Sequence, residues 1–251
     1  MNNRAFIAGA SGAIGRRLCR LLVDDGWEVV GTSRSVDRAA ALQASGVHPV
    51  IVDVFDESAL HRAVAEAKAD VVIHQLTDLP PALDPTKMAE ARVRNARIRE
   101  VGTRNLVAAA VAGGVKRMVA QSIAFAYAPR PLPYREDSPL DIASADAANA
   151  MSARAVASLE QQVLGAPFVG IVLRYGKLYG PGTGFDGPRG DGSLHVDAAA
   201  DAARRAITRG KAGIYNIAES DGMISSLKAE RELGWSSGFR IDRPGIVAVA
   251  R

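Results

Sequence analysis

Gly9-Ala10-Ser11-Gly12-Ala13-Ile14-Gly15 is the stretch on which the fold turns. A short apolar run at 5–8 precedes it, and Ile14, Leu18, Leu21 and Leu22 follow at the spacing of one helix face. A glycine triplet alone is a turn as readily as a site. A strand before it and a helix after it change its meaning. Gly9 permits a sharp exit from the strand, Gly12 lets backbone N–H groups approach a pyrophosphate, and Gly15 lets the helix pack closely on the strand. The helix start at Ala13 and Ile14 offers unpaired N–H groups and positive potential to phosphates, and Ser11 adds a hydroxyl donor. No Gly-Lys-Ser/Thr follows, so the loop is not that of an NTPase. The stretch predicts dinucleotide binding.

Working outward, short β-branched runs at 29–31, 50–52, 71–73, 118–120 and 169–173 read as strands buried on both faces, because they do not alternate. Helical patterns lie between them. One starts at Asp56, with Leu60, Val64 and Ala67 on a face. Others run over 85–113 and 145–164, and a strand at 213–218 and a helix at 227–233 come near the end. The segments 128–141 and 180–193 are loops rich in Pro, Gly or charge. This alternation implies right-handed βαβ units and an α/β, Rossmann-type doubly wound parallel sheet. A single domain over 1–251 is expected.

The bulk composition narrows the function classes. Hydrophobic residues make up 48% and charged residues 23%, as in ordinary soluble domains. No apolar run approaches a membrane span, and the N-terminus lacks a signal-peptide pattern. Cys19 is the lone cysteine, so a cytoplasmic location is the default expectation. Net charge is +4 and the pI about 9.4. The basic residues Arg92, Arg94, Arg97, Arg99 and Arg104 spread over more than one helix face, and no nucleic-acid motif accompanies them. No nucleic acid, membrane or metal is expected. A small-molecule substrate is expected.

The end of the second strand discriminates between cofactors. A carboxylate there would bind the ribose 2′-OH of NAD. The chain reads Gly31-Thr32-Ser33-Arg34-Ser35 instead. Arg34 offers charged donors to a 2′-phosphate and Ser33 and Ser35 add hydroxyls, so NADP(H) is expected before NAD(H).

With these pieces in order, the chain resembles an extended short-chain dehydrogenase/reductase of the NAD-dependent epimerase/dehydratase superfamily. The resemblance rests on the glycine loop, Asp53-Val54, Ile73-His74-Gln75-Leu76-Thr77, Gly102-Thr103-Arg104-Asn105-Leu106, Gln121-Ser122 to Tyr127, Leu173-Arg174-Tyr175 to Tyr179-Gly180-Pro181, His195-Val196-Asp197, and the ending from Lys228 to Trp235. It implies that Asp53 bonds the adenine amine and Val54 flanks the ring. Leu76 and Thr77 would then lie along the cofactor toward the nicotinamide, with the backbone near Lys177 to Tyr179 at that end. It also implies a homodimer paired through the long helices.

The catalytic pattern of that family is missing. Its enzymes use Tyr-x-x-x-Lys, in which the lysine lowers a phenol pKa of about 10 toward neutrality, together with a Ser or Thr near the fifth strand. Four residues after the five tyrosines stand Pro131, Ser138, Tyr179, Thr183 and Glu219. Registered on Leu159-Glu160, the helix puts Ser152 at the tyrosine place and Val156 at the lysine place, and Ile123 takes the Ser/Thr place. Ser122 and Tyr127 are the substitutes expected to polarise a carbonyl and donate a proton. Arg154 could replace the cation, but arginine cannot relay a proton. The chain is also short for the family, with 180–251 reading as a trimmed substrate-binding portion.

The expected function is therefore an NADP(H)-dependent oxidoreductase with a non-standard site, acting on a small carbonyl or hydroxyl compound. The alternatives are a non-catalytic NADP(H)-binding regulatory protein and a nucleotide-sugar epimerase or dehydratase.

Overall fold

The computed structural model of the chain describes residues 3–241. The domain expected over 1–251 runs past them, so residues 1–2 and 242–251 lie outside the description. Strands β1 (Arg4–Ala8), β2 (Glu28–Ser33), β3 (His48–Ile51), β4 (Val71–His74), β5 (Arg117–Ile123), β6 (Val169–Tyr175) and β9 (Gly213–Ile217) form one sheet in the order β3-β2-β1-β4-β5-β6-β9. Every pairing is parallel. The order reverses between β1 and β4, and that switch point opens a crevice beyond the strands' carboxyl ends.

Helices cover both faces. Successive strand residues point to opposite sides, so Ile7, Ile73, Val119 and Ile171 meet α1 (Ala13–Asp24), α7 (Val196–Ala206) and α8 (Leu227–Leu233). Phe6, Val72, Met118 and Val172 meet α3 (Glu57–Ala67), α5 (Thr103–Ala112) and α6 (Ala147–Leu164). The doubly wound parallel sheet is thus present as the sequence implied. The helix starts follow from local chemistry. Asp56 caps α3 by accepting from the Ala59 N–H at 2.9 Å, and Asp146 caps α6 by accepting from Asn149 at 2.8 Å.

Four details differ from the sequence reading. Strand β3 is an edge strand and half exposed, with Ile51 open to solvent. Pro49, which has no N–H to give, suits that edge. Helix α2 (Val36–Gln43) was not foreseen, because it is short and buries only Ala39 and Leu42. The long helical stretch is not one helix. A 3₁₀ turn (Pro85–Lys87) leads into α4 (Met88–Arg97), and a π turn (Ile98–Gly102) joins α4 to α5. A side chain at Gly102 would crowd Val54 at 3.1 Å. Finally, β7 (Lys177–Tyr179) and β8 (Ser193–His195) form a separate parallel pair across the base of the glycine-rich loop.

Candidate functional site

The glycine loop adopts the geometry its residues require. Gly9 has φ +90°, in the region that favours glycine, and its N–H donates to Thr32 Oγ1 at 3.2 Å. The Gly12 N–H turns back to Gly9 O at 3.1 Å. A Cβ on Gly15 would stand 2.2 Å from Gly9 O, so only glycine lets α1 approach the turn this closely. The N-terminus of α1 has no side-chain cap and no acid in its first turn. Its N–H groups are left for an anion.

A cavity of about 450 Å³ opens at the switch point. Of the expected cofactor residues, Gly9, Ser11, Gly12, Ser33, Arg34, Asp53, Val54, Leu76 and Thr77 line it. Ala13, Ile14 and Gly15 do not. Ile14 and Gly15 are buried in the first turn of α1, where they hold the loop against the sheet. The cavity also takes in Ser35, whose hydroxyl was expected beside Ser33, and Arg38, Phe55, Gln75 and Ile98, which sequence reasoning missed. Arg38 was missed with α2, whose N-cap, Ser35, accepts from the Arg38 N–H at 3.4 Å. The Arg97 guanidinium lies 4.1 Å from the centre of the Phe55 ring and backs that wall. Asp53 commits one carboxylate oxygen to the Phe55 N–H at 3.0 Å. At the mouth, Asp78 faces Arg34 at 3.7 Å and Arg94 at 3.2 Å.

The cavity fits a dinucleotide by its chemistry. It combines an uncapped helix N-terminus with two arginines and two serines after β2, and a carboxylate and an aromatic ring beyond β3. Those groups would hold phosphates, a ribose and a base respectively.

Ser122 and Tyr127 lie elsewhere, in a buried polar network. Ser122 Oγ donates to Glu160 Oε1 at 2.9 Å. Arg174 donates to both oxygens of Glu160, at 2.8 and 2.6 Å. It also donates to the Tyr127 hydroxyl at 3.0 Å, and that hydroxyl donates to Asn216 Oδ1. Tyr134 stacks on the Tyr127 ring at 5.0 Å. Neither Ser122 nor Tyr127 lines the cavity. Burial raises the Tyr127 pKa above its ordinary value, partly offset by Arg174. That shift takes the phenol further from acid–base work at neutral pH.

The sequence reading put Ile123, Ser152 and Val156 at the three places of the family's catalytic set. Ile123, Ala126, Ala153 and Val156 pack into one apolar cluster. Ser152 turns its hydroxyl onto its own helix, at Ala148 O, 2.9 Å. Arg154 is exposed and donates to Ile142 O at 3.0 Å, so it does not stand in for the lysine. His74, at the end of β4, is fully buried: Nδ1 accepts from the Leu76 N–H at 3.2 Å, and Nε2 is left to donate to Thr103 Oγ1 at 3.1 Å. Burial, then the charge of Arg99, lowers its pKa to about 4. It is a packed, neutral histidine.

The sequence profile of the NAD dependent epimerase/dehydratase family matches residues 5–235. The chain belongs to that family. Among its relatives is a 3-diazoavenalumate denitrifying reductase from a Streptomyces species, 40% identical over 238 residues, covering 87% of this chain and 76% of that protein. A ketoreductase of Stigmatella aurantiaca, acting on 4-hydroxy-2-methyl-3-oxo-4-farnesyl-3,4-dihydroquinoline-1-oxide, is 31% identical over 116 residues, 46% of this chain and 32% of its own. The fold is that of the UDP-glucose 4-epimerase of Thermus thermophilus, solved with NAD, at a TM-score of 0.74 and 20% identity over 95% of each chain. Among the described residues no helix is long and apolar enough to cross a membrane, and no group of three or more His, Cys, Asp or Glu could hold a metal.

Proposed function

We propose that this chain is an NADP(H)-dependent reductase whose reaction needs no proton from a tyrosine–lysine relay, and that its substrate carries a diazonium group. The observation that carries the reading is that Ile123 and Val156, which the sequence reading puts at the Ser/Thr and lysine places, pack into an apolar cluster with Ala126 and Ala153, while Ser152, at the tyrosine place, bonds its own helix. Carbonyl reduction leaves an alkoxide that must be protonated, and the phenol expected to supply that proton, Tyr127, is bonded into the scaffold. Reduction of a diazonium carbon differs. One hydride enters, a C–H bond forms, the C–N bond breaks and dinitrogen leaves with the bonding pair, so no oxyanion remains to be quenched. The 40% identical reductase, by its name, removes nitrogen from a diazo compound.

The cofactor, when bound, supplies the hydride. This chain's residues bind and orient it. The glycine loop and the α1 terminus take the pyrophosphate. Arg34 and Arg38, with Ser33 and Ser35, take the 2′-phosphate that favours NADP(H) over NAD(H). Asp53, Val54 and Phe55 hold the adenine, and Leu76 and Thr77 run toward the nicotinamide. Ser122 and Tyr127 hold β5, β6 and α6 in register instead of touching substrate.

The test is single-turnover reduction with 4-deuterated NADPH, offered an aryl diazonium salt and a panel of aldehydes and ketones, with Gly9→Ala as the control for uncatalysed reduction. Dinitrogen release with deuterium at the former diazo carbon is expected. Turnover confined to carbonyls would overturn the substrate class. Tight NADPH binding with no transfer to any compound would favour the regulatory alternative.

A further inference from the structure

Arg99 sits in the π turn between α4 and α5, where the helical register shifts and the chain leans on α6. Such turns recur at functional sites. Its surroundings are unusual for an arginine. The residue is half-buried, and its guanidinium makes no hydrogen bond or ion pair with any described residue. Glu160 on α6 is the acid whose charge it feels, yet both Glu160 oxygens are committed to Arg174 and Ser122. His74 feels Arg99 in turn and is neutral. Desolvation dominates at Arg99 and draws the guanidinium down to about 10.

The guanidinium is not sealed in. The enclosed side-chain atoms that lack partners among the described residues are His61 Nε2, Gln75 Oε1 and Gln162 Oε1. The Arg99 nitrogens are absent from that set, so they are not fully enclosed. The preceding residue, Ile98, lines the cofactor cavity, and Gln75 to Thr77, next to His74, form its wall. Arg99 does not itself line that cavity. Thr103, one turn after it, bonds His74 at the end of β4, and Glu160, whose charge Arg99 feels, bonds Ser122 near the end of β5. The unpartnered cation thus lies toward the carboxyl ends of β4 and β5, where parallel sheets bind ligands. A half-buried charge without a partner is unfavourable, and a bound anion of matching shape offsets the penalty.

We propose that Arg99 binds a carboxylate carried by the substrate. The proposal rests on the reductase reading and supplies its substrate class: an acid anion whose reacting carbon lies toward the nicotinamide. A carboxylate fits better than the other candidates. The cofactor's phosphates belong to the glycine loop and to Arg34, and its ribose hydroxyls and carboxamide carry no charge to offset a guanidinium. The planar fork takes a carboxylate with two parallel bonds. Arginine holds its proton, so the role is recognition and not acid–base chemistry.

Calorimetric titration of the NADP+-loaded protein tests this without turnover. The probes are benzoate and hexanoate beside benzamide and hexanamide. Both acids should bind, and each should bind about tenfold or more tightly than its amide. Arg99→Gln should erase that preference, and Arg99→Lys should restore part of it. Affinity for NADP+ itself should stay within about twofold in both variants. Equal binding of acid and amide to the wild type, or no binding of either acid, overturns the proposal with no variant needed. So does an Arg99→Gln variant that weakens NADP+ as much as it weakens the acids, which would place Arg99 on the cofactor. Acid binding at Arg99 without any deuteride transfer to a diazonium would retain the site and sink the reaction.

Discussion

At Gly9 a Cβ would stand 2.6 Å from the Gln75 carbonyl oxygen, and the φ of +90° is one that alanine resists. Gly9→Ala should therefore weaken NADPH binding by at least tenfold, read by fluorescence titration, since the turn must move off the pyrophosphate path. Arg34→Ala separates the cofactors. It should cost about 1–3 kcal/mol of NADPH affinity and leave NADH almost unchanged, because only the 2′-phosphate loses a charged donor. An equal loss for both cofactors would place Arg34 outside the phosphate site. Tyr127→Phe tests the buried network. With the hydroxyl tied to Arg174 and Asn216, the variant should lose stability and keep its turnover per folded molecule within a few-fold. A collapse of kcat with full stability would return Tyr127 to the role of proton donor.

At the scale of elements, α6 ties the apolar cluster to the buried polar network. Its buried face carries Val156 and Glu160 one turn apart. Val156 joins the apolar cluster, while Glu160 ties the helix to Arg174 on β6 and Ser122 on β5. The Arg174 and Glu160 side chains are only 4% and 6% exposed. Replacing such a pair by apolar groups can be neutral, whereas removing one partner strands a charge. Glu160→Ala should cost about 3–5 kcal/mol in chemical denaturation, because Arg174 would be left buried. The missing Tyr-x-x-x-Lys pair was legible from spacing alone. The network that occupies Ser122 and Tyr127 was not, because Glu160, Arg174 and Asn216 come from α6, β6 and β9, and no local pattern links them.

At the scale of the whole molecule, acid stability should report on His74. Its unfolded pKa is near 6.5 and its native pKa about 4. Between those values the unfolded chain binds the extra proton, so stability is full above pH 6.5 and falls as the pH drops toward 4. Relative to His74→Gln, the wild type should lose about 3 kcal/mol over that window. A pH-independent gap between the two would show that the ring titrates normally in the fold. We also propose that the long helices pair two copies. Val93 on α4, Val111 on α5 and Leu164 on α6 are exposed apolar side chains, and light scattering should give twice the chain mass, reduced to one by Val93→Glu. The sequence by itself determined the doubly wound sheet, the phosphate loop and the absence of the relay, because each rests on local spacing: glycines between a strand and a helix, period-specific apolar runs, residues four apart on one helix. Only the tertiary structure decided which hydroxyls are tied up inside the protein, that Arg38 and Phe55 join the cavity, and that Arg99 has no partner among the described residues. Those facts depend on side chains from distant segments meeting at the sheet's carboxyl edge, where burial and pairing, not residue type, set what each group can do.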